Sequence, residues 1–206
     1  MKKLGSAAVL AAVATLGPSA VPAAAVGIVG QPAPGFTLTD SNGKPRSLAD
    51  FPGKVVVLEW WNYQCPFVGK HYGSGNMQKL QKEWTARGVV WLTVNSSAPG
   101  KQGHVDGAQA NALMTEKGGA PSAVLLDPDG KMGRSYGAKT TPHMFVINPR
   151  GTLVYAGGID DKPSTDQSDI ATARNFVSAA LAEVTAGKPV TAATSQPYGC
   201  GVKYAE

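Results

Sequence analysis

The sequence is short of cysteine, of histidine and of any dense run of charge. Two of its 206 residues are cysteine. They can make one bridge at most, so a small scaffold held by a disulfide framework is excluded. A metal site would have to combine Cys65, Cys200 and a histidine, soft ligands suited to copper. The spacing matches no standard ligand pattern, and neither a metal nor an organic cofactor is expected. There is no basic run. The chain carries 19 Lys and Arg against 14 Asp and Glu, a net charge of +5, or 17 against 14 once Lys2 and Lys3 are set aside. That mild, scattered excess points away from nucleic acid. No internal repeat and no linker to a second domain are present, so one domain is expected. The longest apolar run, Leu4 to Leu16, is too short to cross a bilayer comfortably.

That run does have another use. Lys2 and Lys3 precede it, Gly17-Pro18 ends it, and small residues follow, with Ala23 and Ala25 fitting a small-x-small cleavage site. Residues 1–25 therefore read as a secretory signal peptide. Without a cysteine at the cleavage site, a lipid-anchored form is not expected. The expectation is a periplasmic or secreted protein, with no membrane association after signal removal. A folded domain would occupy residues 26–187, and residues 188–206 an ordered tail laid over it.

Local patterns predict an alternation of strands and helices. Phe36 to Thr39 alternates as a short strand, and Asp40 to Gly43 turns it. Val55 to Trp61 is an almost continuous apolar, β-branched run, the pattern of a strand buried on both faces. Val89 to Val94 and Ser122 to Leu126 are further strands. Met144 to Asn148 and Thr152 to Tyr155 form a hairpin across Pro149-Arg150-Gly151. Pro66 suits a first helical position, which makes Cys65 an N-cap. Gly73-Ser74-Gly75 should break that helix, and Asn76 should cap its continuation, with Met77, Leu80 and Trp84 on one face. Further helices are expected over 108–117 and 132–136. A long one is expected over 169–185, with a stripe of Ile170, Ala173, Val177, Leu181 and Val184. The order implies an α/β protein with a mixed central sheet and helices on both faces.

Cys65 lies in "WWNYQCPFV", directly after the apolar strand. A cysteine in the first turn of a helix meets unpaired N–H groups and the positive end of the dipole, both of which favour thiolate. The alternative is an inert core cysteine. Trp60, Trp61, Tyr63 and Phe67 are either an aromatic floor for a substrate or simply core. Thr141-Pro142 opens a later strand and is compatible with a cis bond, although trans is the commoner state. His71, about 240° around the helix from Cys65, falls on another face. His143 either approaches the site or is turned away by strand alternation.

Taken together, "PAPGFTLTD", "GKVVVLEWWNYQCPFV" and "LLDPDGKMGRSYGAKTTPHMFVINPRGTLVYAGGID" resemble the thioredoxin-like redoxins. This group includes the alkyl hydroperoxide reductase/thiol-specific antioxidant proteins and exported thioredoxin-like oxidoreductases. The resemblance runs from about Gly30 to Ala186. It implies a thioredoxin-like fold, Cys65 as nucleophile and Pro142 as a cis proline facing it. Glu59 falls where thioredoxins keep a buried acid that assists proton transfer. Trp61, Asn62, Pro66, Phe67 and Thr141 would form the substrate groove. Two departures matter. Val68 stands where thioredoxins have their second cysteine, and Leu58 and Asn62 replace the proline and threonine of the peroxiredoxin motif. Cys200, flanked by glycines that permit close backbone approach, is then the candidate resolving thiol, forming a Cys65–Cys200 bond. A permanent bridge pinning the tail, and two unpaired thiols, are the other possibilities. The implied activity is thiol–disulfide exchange on a disulfide substrate, with a reducing thiol protein as electron donor. A peroxidase acting on peroxide and a non-catalytic binding or metal-chaperone module are the alternatives.

Overall fold

The computed structural model describes Met1 and residues 27–206. The expected signal peptide lies outside the described residues. Strands β1 (Thr37–Asp40), β2 (Pro45–Ser47), β3 (Val56–Trp60), β4 (Val90–Asn95), β5 (Ala123–Leu126), β7 (His143–Ile147) and β8 (Leu153–Gly157) form one seven-stranded sheet in the order β2-β1-β5-β4-β3-β7-β8. β4 runs parallel to both β3 and β5; β7 pairs antiparallel with β3 and with β8. The sheet is therefore mixed. The parallel strands come from the alternating first half of the chain; antiparallel pairing comes from the hairpin at one edge and from β1, which pairs with β2 and β5, at the other.

β3 lies inside the sheet between β4 and β7, and all five of its residues are buried. Its alternation divides the core in two. Val57 points, with Trp91, Met144, Val146 and Tyr155, toward helices α1 (Pro66–Gly73), α2 (Asn76–Ala86), α3 (Gly107–Lys117) and α5 (Phe176–Thr185). Val56, Leu58 and Trp60 point the other way, with Leu92, Phe145 and Ile147, toward Met132 and Tyr136 of α4 (Lys131–Tyr136). Burying large side chains on both faces, at about 25 cal/mol per Å² of apolar area, fixes β3 firmly in the core. Its carboxyl end is consequently a rigid place from which to present a side chain.

Two expected elements differ. The long helix over 169–185 is instead a 3-10 turn, Gln167–Ala171, followed by α5. Backbone bonding to the 159–161 segment divides it. Phe176 N donates to Ile159 O at 3.0 Å and Arg174 N to Asp161 Oδ1 at 2.9 Å. Asn175 then caps α5 by accepting from Ser178 N at 2.8 Å. Ile170 and Ala173 are only half-buried, while Val177, Leu181 and Val184 are buried as expected. At α2 the cap is Gly75, with φ +76°, rather than Asn76. The left-handed turn needs a glycine, and the Asn76 amide bonds His71 Nδ1 at 2.9 Å.

Residues 188–206 lie along the domain. Thr194 bridges Ala156 beside β8, and Ser195 Oγ meets the Tyr155 hydroxyl at 2.7 Å. Further on, β9 (Cys200–Gly201) pairs antiparallel with the two-residue strand β6 (Thr140–Thr141). Tyr204 packs against Gly130 and Gly133, beneath the Arg134 guanidinium at 4.5 Å.

Candidate active site

The chain leaves β3 through a short turn and enters α1 at Cys65, which takes the N-cap position with φ −82° and ψ 122°. Pro66 is the first helical residue, and Gly69 N donates the first helical bond to Cys65 O at 2.8 Å. The turn is locked by Asn62, whose Oδ1 accepts from Gln64 N at 2.9 Å and whose Nδ2 donates to Gln102 O at 3.3 Å. Gln64 Oε1 accepts from Gly103 N at 2.9 Å. Gly103 has φ +81°, and any side chain there would overlap the Asn62 amide. Asn62, expected in a substrate groove, is buried and engaged with this loop. Trp61 is likewise buried, Pro66 is exposed, and Phe67 is half-buried against the ring of Tyr198.

Opposite Cys65 stands the Thr141–Pro142 peptide, which is cis. Cys65 Sγ lies 3.0 Å from Thr141 O and 2.7 Å from Cys200 Sγ. Both cysteines are thiols. Gly199 makes this approach possible. It has φ +137°, and a Cβ there would run into the Thr141 carbonyl. The tail so placed leaves Cys65 1% exposed, while Cys200 remains half-buried.

The environment separates the two thiols. Burial alone would raise the Cys65 pKa. Hydrogen bonding with Cys200, with Thr141 and with the backbone at Val68 and Cys200 outweighs it and holds Cys65 below the ordinary thiol value. Burial, and then the hydrogen bond and negative charge of Cys65, push Cys200 up to about 11. The surroundings thus make Cys65 the more acidic of the two thiols and Cys200 the less acidic one.

Glu59 is fully buried, and its carboxylate accepts from Tyr72 Oη at 2.8 Å, Trp91 Nε1 at 2.8 Å, Gln81 Nε2 at 3.0 Å and Thr93 Oγ1 at 3.1 Å. Desolvation raises its pKa, more than these four donors lower it. None of its hydrogen bonds reaches Cys65 or Cys200. His143 turns to the opposite face, its ring tilted 42° to that of Phe145 with centroids 4.4 Å apart, and its Nδ1 accepts from Lys139 N.

Sequence reasoning missed a buried polar socket beside the thiols. Tyr198, two residues before Cys200, donates its hydroxyl to Asp160 Oδ1 and meets His71 Nε2 at 3.1 Å. Lys70, also buried, places Nζ 3.8 Å from Asp160 Oδ2 and donates to Lys162 O at 2.6 Å. Burial, opposed by the charge of Asp160 and aided by that of Lys70, lowers His71 to about 4, so it is neutral. Asn76 Nδ2 lies 2.9 Å from Nδ1, a contact that suits the tautomer carrying its proton on Nε2, toward Tyr198. The clue in the sequence was "QPYGC", an aromatic immediately before a glycine-flanked cysteine. Nothing local marked Lys70 or Asp160 as its partners. Among the described residues, no group of three His, Cys, Asp or Glu side chains is placed to hold a metal ion.

The chain is similar to several known proteins. The chain is 32% identical over 125 residues to the thiol-disulfide oxidoreductase ResA of Bacillus subtilis, a stretch that covers 61% of this chain and 64% of that protein. The ResA of Halalkalibacterium halodurans is 27% identical over 135 residues, covering 65% and 71%. A hypothetical protein from Sinorhizobium meliloti superposes with a TM-score of 0.70 at 23% identity, over 86% of this chain and 95% of that one. A putative thiol:disulfide interchange protein DsbE from Chlorobium tepidum does so with 0.50 at 27%, over 63% and 84%. The AhpC/TSA family model matches residues 29–156, a span that includes Cys65 and Pro142 and leaves Cys200 and Tyr198 outside. Since that match takes in more than half of the chain, the protein belongs to the AhpC/TSA family and has its thioredoxin-like fold.

Proposed function

We propose that the protein is a thiol–disulfide oxidoreductase with Cys65 as attacking thiolate and Cys200 as resolving thiol. The observation that carries this reading is the 2.7 Å contact between the two sulfurs at a helix N-terminus. Cys65 attacks one sulfur of a substrate disulfide, forming a mixed disulfide and releasing the first thiolate. Cys200 gives up its proton, attacks Cys65 Sγ and expels the second thiolate, leaving a Cys65–Cys200 bond. Two electrons pass to the substrate, and a donor thiol protein returns them. Pro142 and Thr141 shape the groove that the tail now fills. Glu59 has a positioning role: through the Tyr72 hydroxyl on α1 it holds the helix that carries Cys65. The reading of residues 1–25 as a signal peptide supports a site of action outside the cytoplasm.

The decisive experiment is thiol mapping by mass spectrometry across a glutathione redox titration, paired with turnover of a small disulfide. Cys65→Ser is expected to reduce turnover to background. Cys200→Ser is expected to halt the cycle at a mixed disulfide on Cys65. Unchanged turnover in Cys65→Ser would sink the proposal. A bond that resists reduction below about −300 mV would mean a structural bridge. Reaction with hydrogen peroxide is expected to be no faster than that of free cysteine, because Asn62 replaces the peroxiredoxin threonine and its amide is engaged elsewhere.

A further inference from the structure

The two half-reactions need not use the same sulfur, and the tail supplies the asymmetry. Cys65 is 1% exposed beneath Cys200, which is itself only half-buried. The segment is anchored on both sides of Cys200. Tyr198 binds Asp160 and His71 before it, and after it Ala98 N donates to Lys203 O at 2.8 Å and Tyr204 Oη to Ala138 O at 2.8 Å. In the dithiol, the strand directly over Cys65 is held by non-covalent contacts: the two-residue pairing of β9 with β6, Val202 N donating to Lys139 O at 3.1 Å and Thr141 Oγ1 donating to Cys200 O at 3.4 Å. Forming the bond adds a covalent link at that point and fixes the cover in place.

Resting on the redox cycle above, we propose that the donor thiol enters the oxidised protein at Cys200, with Cys65 as the leaving group. The donor thiolate attacks Cys200 Sγ; a bond forms between these two sulfurs, the Cys65–Cys200 bond breaks, and its electron pair stays on Cys65. A second donor thiolate then attacks the donor sulfur, forming the donor disulfide and releasing Cys200, which takes up a proton. Two thiols are oxidised and one protein bond is reduced. Three features favour this direction. The half-buried sulfur is the one an incoming thiolate can reach. Cys65, with its lowered pKa, is the faster leaving group. The positive charge of Lys203, which acts at Cys200 Sγ, attracts an incoming thiolate toward that sulfur.

The test uses the oxidised full-length protein and reduced glutathione near neutral pH, quenched with acid at early times, alkylated and mapped by mass spectrometry. Glutathione is expected on Cys200, with Cys65 alkylated, in roughly tenfold excess over the reverse adduct. Equal or greater labelling of Cys65 would overturn the inference while leaving the cycle intact. Failure of the internal bond to form under mild oxidation would remove the cycle, and this inference with it. A second variant, Gly199→Ala, drives a methyl group into the Thr141 carbonyl and lifts the strand. It is expected to shift the adduct severalfold toward Cys65; an unchanged partition would show that docking of the tail does not shield Cys65, and would also overturn the proposal.

Discussion

At the scale of single residues, the lowered pKa of Cys65 depends on its hydrogen-bond partners, of which Cys200 Sγ at 2.7 Å is the nearest. Cys200→Ala removes that hydrogen bond while leaving much of the burial that disfavours charge. The midpoint of Cys65 alkylation against pH is therefore expected to move upward in this variant; an unchanged or lower midpoint would mean that the α1 N–H groups suffice alone. Glu59 offers a second pH test. Its folded pKa is raised above its ordinary value by burial. Folding thus favours the protonated form, and this contribution to stability is complete below the unfolded pKa. It is lost as pH rises from there through the folded pKa, at about 1.4 kcal/mol per pH unit across the gap. Glu59→Gln cannot titrate and is expected to flatten this fall when urea unfolding is followed across pH. An unaltered slope would assign the pH dependence to other groups.

At the scale of elements, the tail decides where Cys200 sits. Tyr198→Phe removes the hydroxyl from Asp160 and His71. The phenol remains protonated in the native protein, because burial and then its bond to Asp160 push its pKa far up. Losing this anchor is expected to favour release of the tail in the dithiol and so weaken the Cys65–Cys200 bond. If the anchor contributes about 1.4 kcal/mol, the reduction potential rises by about 30 mV. A glutathione titration of wild type against the variant measures it, and an unmoved potential would reduce Tyr198 to a packing residue. Helix α5 is similarly local in its dependence. Asn175→Ala leaves Ser178 N without its cap and is expected to cost about 1 kcal/mol in chemical unfolding.

At the scale of the molecule, one bond across 135 positions joins the first βα unit to the tail. In the chain-entropy model such a link is expected to stabilise the oxidised protein by about 4–5 kcal/mol over the dithiol. Denaturant unfolding of the two forms checks this, and equal stabilities would mean that the bond strains the native fold. Much of the architecture behind that link was legible in the chain. Val55 to Trp61 read as a buried strand because both faces are apolar, and Cys65 as a cap because Pro66 follows it. The long helix over 169–185 did not survive. Its apolar spacing was continuous in sequence, but backbone bonds to residues 159–161 offered the chain around Asn175 a better arrangement.

The sequence by itself determined the order of elements, the mixed sheet and the thiol at a helix start, because these depend on periodicity and on neighbours a few residues away. Only the tertiary structure decided that Cys200 reaches Cys65, that Glu59 is held by four donors rather than turned to the sulfurs, and that Lys70, His71, Asp160 and Tyr198 converge. Those contacts join segments far apart in the chain. The energy of a buried charge or thiol depends on which groups surround it in space.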